Sequence, residues 1–447
     1  MKVKKQAKIF YFSLDDEETK EEKLEWFKQT SLNQILFERI TPDKRYNWVN
    51  LTDNDFDDFL FLIDKQVKAG RSEEAVFRLF SRGVATQRDE WVYDFSLDRL
   101  REKIEYMVNA YQNRLKTGKR AKPDIKWDRE TEKYLARNIS KQVESGSFRI
   151  GAWRPFIKKN FYFDPHFNGM VYQNFTLFPK ADLGNKIICS TDTGTQSPYM
   201  LTCSDCVPDL HLVGTAAQCL PLYRYDEKGD RHDNITDWGL NQIQTHYNDP
   251  TITKLDIFHY TYAVLHHPAY RTKYEINLKR DFPRLPYYTQ FHQWVAWGKT
   301  LMDLHINYET VDQYELKILD TSKGKSTRKN KQKQAQETRP KPKLKADKDK
   351  GYLILDTHTT LTGVPAIAWD YKLGNRSALE WILNQYKEKK PRDPTIREKF
   401  NTYRFADYKD TVIDLLQRVC TVSVETMAII NQMPEEIEKQ ESSSVQE

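Results

Sequence analysis

The stretch SRGVATQRDEWVY, residues 81–93, decides how this chain is organised because it separates two segments with different sequence patterns. Short strand-like and helix-like pieces alternate before it, whereas beyond it apolar residues recur at the three- and four-residue steps of an amphipathic helix. Within the stretch, Gly83 allows a tight backbone and is followed by polar and charged side chains. One interpretation is a structural turn in which Arg88 pairs with Asp89 or Glu90.

The part before this stretch predicts an α/β arrangement. Residues 7–12 form a short apolar run expected of a strand, residues 15–28 a charged helix, and residues 35–48 a second extended piece. This alternation suits the closing edge of an α/β domain whose other strands lie elsewhere. It equally suits a small, self-contained α+β unit.

The part after the stretch predicts both helices and a sheet-containing module. A long helix is predicted between Ser96, a typical N-cap, and Gly118, a typical helix end. Residues 148–222 break into β-like runs separated by Gly, Pro, Asn and Asp, and Ser377 with Glu380 predicts a capping box. We therefore predict an α+β fold, a mixed chain of several modules. Further helices are predicted over residues 129–143, 253–266, 268–280, 290–304, 410–418 and 424–431.

The net charge of +6 comes from one low-complexity segment. Residues 321–350 hold 12 Lys and Arg against 3 Asp and Glu, a local +9, so the remainder has 58 basic against 61 acidic residues, or −3. Overall charge is therefore poor evidence for nucleic-acid binding. We predict a basic, flexible insertion at residues 322–350 and a disordered tail at residues 434–447.

The sequence disfavours a membrane protein and a disulfide-stabilised one. No apolar run approaches the roughly 18 residues that span a bilayer, so we expect a soluble cytoplasmic protein without a membrane segment. Five cysteines, an odd number, favour reduced thiols. Structural zinc sites usually bring two close cysteine pairs, which makes reduced thiols the simpler interpretation but leaves a four-thiolate zinc site open. The four cysteines in question are Cys189, Cys203, Cys206 and Cys219.

Seven separated blocks of the chain resemble the C-terminal region of type ISP restriction-modification enzymes. In that family a nuclease, a helicase-like motor, an adenine methyltransferase and a target-recognition domain are joined on one polypeptide. One block alone would be a weak match, but the seven occur in order and cover nearly the whole chain. The blocks are SRGVATQRDEWVY at 81–93, WRPF at 153–156 with FY at 161–162, CLPLY at 219–223, YAVLHHPAYR at 262–271, FPRLP at 282–286, LHINYE at 304–309, and DYK at 370–372 leading into NRSALEW at 375–381.

The resemblance implies a division into two parts. Residues 1–75 would be the trailing part of a methyltransferase-like α/β domain, and residues 76–433 the target-recognition (specificity) domain. The Asn-Pro-Pro-Tyr run that holds an extruded adenine and the glycine-rich turn that holds S-adenosylmethionine are both missing from the chain. We therefore expect no catalytic residues and no cofactor in this chain, with S-adenosylmethionine, ATP and Mg bound only by upstream domains.

The resemblance also implies sequence-specific recognition of double-stranded DNA in a type ISP system of the kind used in phage defence. The chain would position an adenine methyltransferase, a motor and a nuclease supplied upstream or by a partner chain. Two alternatives stay open. The chain completes an active adenine-specific DNA methyltransferase when its other half is supplied, or it is a decayed remnant with a structural role only.

The candidate DNA-binding residues form four groups. The first lies in the opening stretch, where the related methyltransferase segment more often has Gly at position 87. The second is the arginine before Pro155, which either meets phosphate or anchors a carboxylate. The third lies on and after one predicted helix and the fourth just before a capped helix, where a solvated helix face and a helix-start loop are the simpler alternatives. The twelve residues are Thr86, Gln87, Arg88, Arg154, Arg271, Lys273, Lys279, Arg280, Arg284, Lys372, Asn375 and Arg376.

Overall fold

The structure, a computed structural model, describes residues 7–15, 18–42, 48, 55–320 and 340–437. It is 40% helical and 20% strand, which confirms the α+β class. Among these residues no helix has both the length and the apolar character needed to cross a bilayer. The α-helices are α1 (Lys20–Gln29), α2 (Lys65–Lys68), α3 (Asp89–Val92), α4 (Leu97–Thr117), α5 (Arg129–Ala136), α6 (Asn174–Leu177), α7 (Asp237–Tyr247), α8 (Lys254–His266), α9 (Pro268–Lys273), α10 (Glu275–Arg280), α11 (Phe291–Ile306), α12 (Ile367–Asp370), α13 (Ala378–Gln385) and α14 (Lys409–Ile430).

The strands assemble into several small sheets instead of one large one. In the described ranges the four-stranded sheets have the orders β10-β6-β7-β5, β4-β11-β8-β9 and β15-β18-β17-β16. The strands are β1 (Ile9–Tyr11), β2 (Glu38–Ile40), β3 (Leu60–Phe61), β4 (Ser81–Arg82), β5 (Tyr93–Asp94), β6 (Phe148–Arg154), β7 (Ile157–Tyr162), β8 (Ile187–Thr191), β9 (Leu201–Ser204), β10 (Val207–Pro208), β11 (Ala217–Pro221), β12 (Tyr223–Tyr225), β13 (Arg231–Asp233), β14 (Arg284–Leu285), β15 (Lys317–Asp320), β16 (Pro342–Asp347), β17 (Tyr352–Asp356), β18 (Thr359–Thr362), β19 (Lys372–Leu373) and β20 (Arg376–Ser377).

The N-terminal segment folds as a strand, a helix and a strand, as its pattern predicts. Strands β1 and β2 pair antiparallel, with Ile9 opposite Ile40. Thr19 and Glu22 form a capping box at the start of α1. No side chain of α1 is buried within the described structure. The end of the predicted extended piece, residues 43–47, lies outside the described residues.

One sheet separates two hydrophobic cores. Every residue of β8 and β11, its two central strands, is buried. Since successive side chains of a strand point to opposite faces, Ile187 and Cys189 pack into the first core while Ile188 packs into the second. Coverage on both faces explains why three consecutive residues of β8, Ile187, Ile188 and Cys189, are apolar instead of alternating with polar ones.

The first core is built around helix α4. The Ser96 side chain accepts a hydrogen bond from the backbone N–H of Arg99, and Gly118 ends the helix with a φ of 69°. Both predicted helix ends are therefore confirmed. Strands β5 and β7 pack directly against α4, and residues of β6 and of helices α12 to α14 belong to the same core.

The second core centres on the crossing of α8 and α11. A Cβ atom on Gly298 would lie 1.8 Å from the carbonyl oxygen of His259, so the two helices approach as closely as glycine allows. The rings of Phe56 and Phe59 contact Tyr274, which brings residues before position 75 into this core. The predicted domain boundary thus falls within a packed region.

Four of the helices predicted beyond residue 120 have different bounds. The helix expected over residues 268–280 breaks at Tyr274 into α9 and α10, because this residue buries its ring between Phe56 and Phe59 and its hydroxyl donates to Asp55 at 2.7 Å. The two helices expected at 410–418 and 424–431 are one helix, α14, since Val419 and Val422 continue its buried face. The helix expected over 129–143 ends at Ala136.

Part of the predicted basic insertion is a strand. Residues 321–339 lie outside the described residues. Residues 342–347, however, form β16 and pair with β17. Leu344 is buried there, and burial of this apolar side chain stabilises the strand despite its lysine neighbours. Of the predicted tail, residues 438–447 lie outside the described residues, whereas the carbonyl oxygen of Pro434 accepts a hydrogen bond from His267 at 2.7 Å.

Candidate nucleic-acid interface

The opening stretch crosses a second loop at Gly83. A Cβ atom at this position would lie 2.4 Å from the carbonyl oxygen of Asp209. Two backbone hydrogen bonds hold the crossing together, from Val84 N–H to the Pro208 oxygen at 2.8 Å and from Leu210 N–H to the Val84 oxygen at 2.9 Å. The absence of a side chain at Gly83 therefore allows the backbones of the two segments to approach closely. Its φ is not in the left-handed region.

Gln87 occupies a backbone conformation that favours glycine. Its φ is 63°, in the left-handed region. This explains why the related methyltransferase segment more often has Gly at the position. The Gln87 side chain lies against Gly169. The backbone carbonyl oxygen of Gln87 accepts a hydrogen bond from the Lys126 ammonium group. Gln87 itself is exposed, at the lip of a cleft.

Thr86 and Arg88 point inward and organise the turn. The Thr86 hydroxyl hydrogen-bonds the carboxylate of Asp89 and accepts from the backbone N–H of Arg88 at 3.2 Å. The buried Arg88 guanidinium forms an ion pair with Asp128. The pairing of Arg88 with Asp89 or Glu90 that the sequence suggested is wrong. Its partner is 40 positions along the chain, at the N-cap of α5.

These residues line a cleft of about 940 Å³. The loop at residues 389–395, which is distant in sequence, forms the opposite wall of the cleft and is hydrogen-bonded to the opening stretch. The indole N–H of Trp91 donates to Asp393 at 2.8 Å, and the Glu90 carboxylate accepts from the backbone N–H groups of Arg392 and Asp393 at 2.9 and 2.8 Å. Three segments thus form the walls, residues 84–91, 123–126 and 389–395, with Trp153 and residues 209–211 between them.

The inner wall of the cleft carries a buried ion pair. Arg154 donates to the carboxylate of Asp209 at 2.7 Å, and its guanidinium lies 3.9 Å from the Trp153 ring centroid. Burial raises the pKa of Asp209 to about 6, against the lowering effect of Arg154. Burial also lowers the pKa of His211, followed in size by the effect of Arg154. Arg154 therefore anchors a carboxylate, as one of its two sequence interpretations proposed.

Three cations at the mouth of the cleft were not found from the sequence. Lys126, Lys389 and Arg392 are exposed and line the opening. In the described part of the chain, neither Lys389 nor Arg392 has a carboxylate within salt-bridge distance of its side chain. The run of charged residues at 387–392 was a usable signal, but nothing in the sequence showed that it would fold back onto residues 84–91.

The third predicted group lies on the segment that packs in the second core, and most of its members already make intramolecular contacts. Lys273 pairs with Asp55 at 2.8 Å, Arg284 with Asp57 at 2.7 Å, and Lys279 with Glu275 at 2.8 Å. The Arg271 Nε–H donates to the Leu265 carbonyl oxygen at 2.7 Å. Because the helix breaks at Tyr274, positions 273 and 280 do not share one helix face. Arg280 is exposed at the end of α10.

The fourth group lies on the hairpin β19–β20 that leads into α13. Lys372 and Asn375 are exposed, and the Arg376 guanidinium lies 5.2 Å from the Trp381 ring centroid. Ser377 and Glu380 form the predicted capping box. Burial, followed by the positive charges of Arg154, Lys387 and Arg376, lowers the pKa of Lys389.

The cysteines do not converge on one point. Cys189 and Cys219 lie 3.6 Å apart, sulfur to sulfur, across β8 and β11. Cys203 instead faces the second core, and burial raises the pKa of its thiol to about 12. Across residues 7–15, 18–42, 48, 55–320 and 340–437, no three His, Cys, Asp or Glu side chains are grouped so as to hold a metal ion.

The profile of the family described as Type ISP C-terminal specificity domain matches residues 75–415 of this chain. No curated protein matches this chain.

Several solved structures resemble the fold. A cryo-EM structure of a DrdV–DNA complex shares 44% sequence identity, with a TM-score of 0.81, covering 96% of this chain and 44% of that one. A nuclease-deletion mutant of the Type ISP restriction-modification enzyme LlaGI, in complex with a DNA substrate mimic, shares 25% identity, with a TM-score of 0.70, covering 96% and 33%. The ATP-dependent Type ISP restriction-modification enzyme LlaBIII bound to DNA shares 23% identity, with a TM-score of 0.72, covering 90% and 26%. The chain spans less than half the length of each.

Proposed function

Because this chain belongs to the Type ISP C-terminal specificity domain family, we propose that it recognises a specific sequence in double-stranded DNA within a type ISP restriction-modification system. The family match over residues 75–415 is the observation that carries the proposal. The DNA present in the DrdV, LlaGI and LlaBIII structures supports it. The chain would hold the duplex so that a methyltransferase, a motor and a nuclease, supplied upstream or in trans, act on it.

We propose the cleft at residues 84–91 as the place where the duplex edge binds. A cleft of about 940 Å³ is too small for a whole double helix, so it would receive part of one strand while the surrounding surface contacts the rest. Gln87 at the lip offers an amide for a base edge, and Lys126, Lys389 and Arg392 offer charge to phosphates. Thr86, Arg88 and Arg154 would hold the cleft wall in place through their intramolecular hydrogen bonds and ion pairs.

The other predicted residues would contribute in different ways. Lys372, Asn375 and Arg376 extend the cleft surface toward β19–β20. Arg280 presents an exposed charge on a separate surface. For Arg271, Lys273, Lys279 and Arg284 to bind DNA, each would have to exchange an existing intramolecular contact for a phosphate.

We propose that residues 1–75 carry the trailing part of a methyltransferase-like domain, and residues 76–433 the specificity domain. The described N-terminal segment supports this because it leaves large apolar side chains uncovered, as expected where a further domain would pack. The same uncovered apolar side chains would also fit the alternative, in which the chain completes an active adenine-specific methyltransferase when its other half is supplied. S-adenosylmethionine, ATP and Mg would be bound upstream, and the protein would act in the cytoplasm. The uncovered side chains include Phe10, Leu24, Phe27, Leu32 and Leu36.

The proposal is tested by selecting binding sites from random-sequence duplexes at two salt concentrations. We expect one enriched, asymmetric sequence at both. The variants Lys126→Met and Arg392→Met should each weaken binding to every sequence and lower the magnitude of the salt slope by about 0.9, as loss of one phosphate contact does. Lys228→Met, which removes an exposed lysine from the distant β12–β13 turn, is the control.

Failure to enrich any sequence, with the methyltransferase portion present, would contradict the proposed function. Methyl transfer from labelled S-adenosylmethionine by the chain alone would show an active site that the proposal places elsewhere.

A further inference from the structure

Trp153 on β6 lies among cationic side chains at the edge of the cleft. The Lys159 ammonium lies 4.6 Å from its ring centroid and 4.5 Å from that of Phe95, and the Arg154 guanidinium lies 3.9 Å from it. Lys159 stands opposite Gly151 in the β6–β7 register, so no cross-strand side chain competes for the space. Lys389 lines the cleft beside the same tryptophan.

The charges in this cluster do not balance. Arg154 is paired with Asp209 at 2.7 Å, and Lys103 with Asp94 at 2.8 Å. Within the described ranges no carboxylate lies within salt-bridge distance of Lys159 or Lys389. Arg154 and Lys103 therefore each have a carboxylate partner, whereas in the same ranges Lys159 and Lys389 have none.

Without a nearby carboxylate in the described structure, the protonated form of each amine is disfavoured. Burial, followed by the charges of Arg154 and Lys103, lowers the pKa of Lys159 to about 7. Burial, followed by the charges of Arg154, Lys387 and Arg376, also lowers the pKa of Lys389. When protonated, these two amines without carboxylate partners present a positive potential to an incoming anion.

We propose that Lys159 and Lys389, beside Trp153, form a binding site for a phosphodiester group of the DNA backbone. This inference rests on the proposed function and names a contact for it. Lys389 belongs to the row of cations at the cleft mouth, and the Trp153 ring, which also lines the cleft, contacts Lys159. Successive phosphates of one strand would pass along these residues. An ammonium group is a compact point charge with three donors, which suits a phosphate oxygen. Free inorganic phosphate has the same chemistry, and the test separates the two.

The test compares Lys159→Met, Lys389→Met and the double variant with wild-type protein and with Lys228→Met. Affinity for a fluorescent random-sequence 30-base-pair duplex is measured by anisotropy across a salt series. Each single change should weaken binding about eightfold at 0.1 M salt and lower the magnitude of the salt slope by about 0.9, and the double variant by about 1.8. Thermal unfolding of Lys389→Met should show no loss of stability, because this exposed lysine has no acidic partner among the described residues. Lys159→Met also removes the contacts of the ammonium group with the Trp153 and Phe95 rings, so its duplex affinity is read together with that of Lys159→Arg.

A second readout uses pH. The charged groups facing Lys159 are Arg154 on β6, Lys103 on α4, Asp94 on β5 and Lys389. Since a phosphate binds the protonated amine, wild-type affinity should fall as pH rises from 6 to 8.5. Lys159→Arg stays protonated throughout and should lose that part of the pH dependence. His211 and Asp209 titrate in both proteins, so only the difference between them counts.

The outcomes separate the two proposals. If wild-type protein binds no duplex, the proposed function fails. If it binds and the double variant keeps the wild-type affinity and salt slope, the proposed function stands and this inference is wrong. If inorganic phosphate raises the melting temperature of wild-type protein but the variants bind duplex normally, the cluster takes the free ion, and the DNA contact is equally refuted.

Discussion

Replacing Gly83 by alanine tests the close backbone crossing on which the cleft is built. The added Cβ would lie 2.4 Å from the carbonyl oxygen of Asp209, 2.6 Å from its carbonyl carbon and 2.9 Å from the nitrogen of Leu210. All three are backbone atoms, so no side-chain rotation relieves the clash. The two chain segments must move apart.

The displacement sets the size of the effect. Ordinary van der Waals contact begins at 3.4 Å, so the segments must separate by 3.4 − 2.4, or 1.0 Å. The Val84–Pro208 and Leu210–Val84 hydrogen bonds, now 2.8 and 2.9 Å, would stretch beyond 3.5 Å. Overpacking costs roughly 1–3 kcal/mol and each lost hydrogen bond about 0.5–1.5 kcal/mol. We expect Gly83→Ala to lower the free energy of unfolding by about 2–6 kcal/mol.

Urea unfolding of Gly83→Ala beside wild-type protein measures this loss directly. Gly184→Ala is the matched control, because a Cβ there meets nothing within 4 Å, and its effect should stay within about 0.5 kcal/mol. Since the crossing carries Asp209, the partner of Arg154, duplex affinity should fall as well. Equal unfolding free energies for the two alanine variants would refute the reasoning.

Three further predictions follow from single positions. Gln87→Gly should raise the free energy of unfolding by up to about 1 kcal/mol in urea titrations, because it relieves a φ of 63°; a clear loss of stability would count against the strain. Gly298→Ala should cost about 3 kcal/mol or more, since its Cβ would lie 1.8 Å from the His259 oxygen, and an unchanged melting temperature would show that α8 and α11 are not so close. His305 stays neutral in the folded protein because burial lowers its pKa to about 3, whereas the histidine of the unfolded chain titrates near 6.5. The stability that depends on neutral His305 is therefore complete above about pH 6.5 and should fall by about 1.4 kcal/mol per pH unit below it. Equal urea midpoints at pH 7 and pH 5 would be inconsistent with that.

Sequence reasoning succeeded where the determining signals are local. The ends of α4 follow from Ser96 and Gly118, and the start of α13 from Ser377 and Glu380, because a cap is decided by residues within one helical turn. The strand–helix–strand order of the N-terminal segment was predictable for the same reason.

Helix continuity depended on tertiary contacts that the sequence does not display. Tyr274 breaks the helix at 268–280 because its ring is buried against Phe56 and Phe59, more than 200 positions away. Conversely, α14 continues past Arg418 because Val419 and Val422 find core partners.

The candidate site was only half predictable. Residues 84–91 stood out as a polar turn, and the structure places them on the cleft. Lys389 and Arg392 did not, since they reach the cleft only through the Trp91–Asp393 and Glu90–Arg392 hydrogen bonds, which join positions about 300 residues apart. Charge alone misled the choice of Lys273 and Arg284, whose acidic partners precede them by more than 200 positions.

Amide hydrogen exchange with and without the duplex obtained by site selection tests the central claim, that DNA binds at this cleft. Bound duplex should slow exchange at residues 84–91, 123–126 and 389–395, with little change on α9 and α10. Protection confined to α9 and α10, or unchanged exchange at all three cleft segments while the duplex is bound, would contradict it.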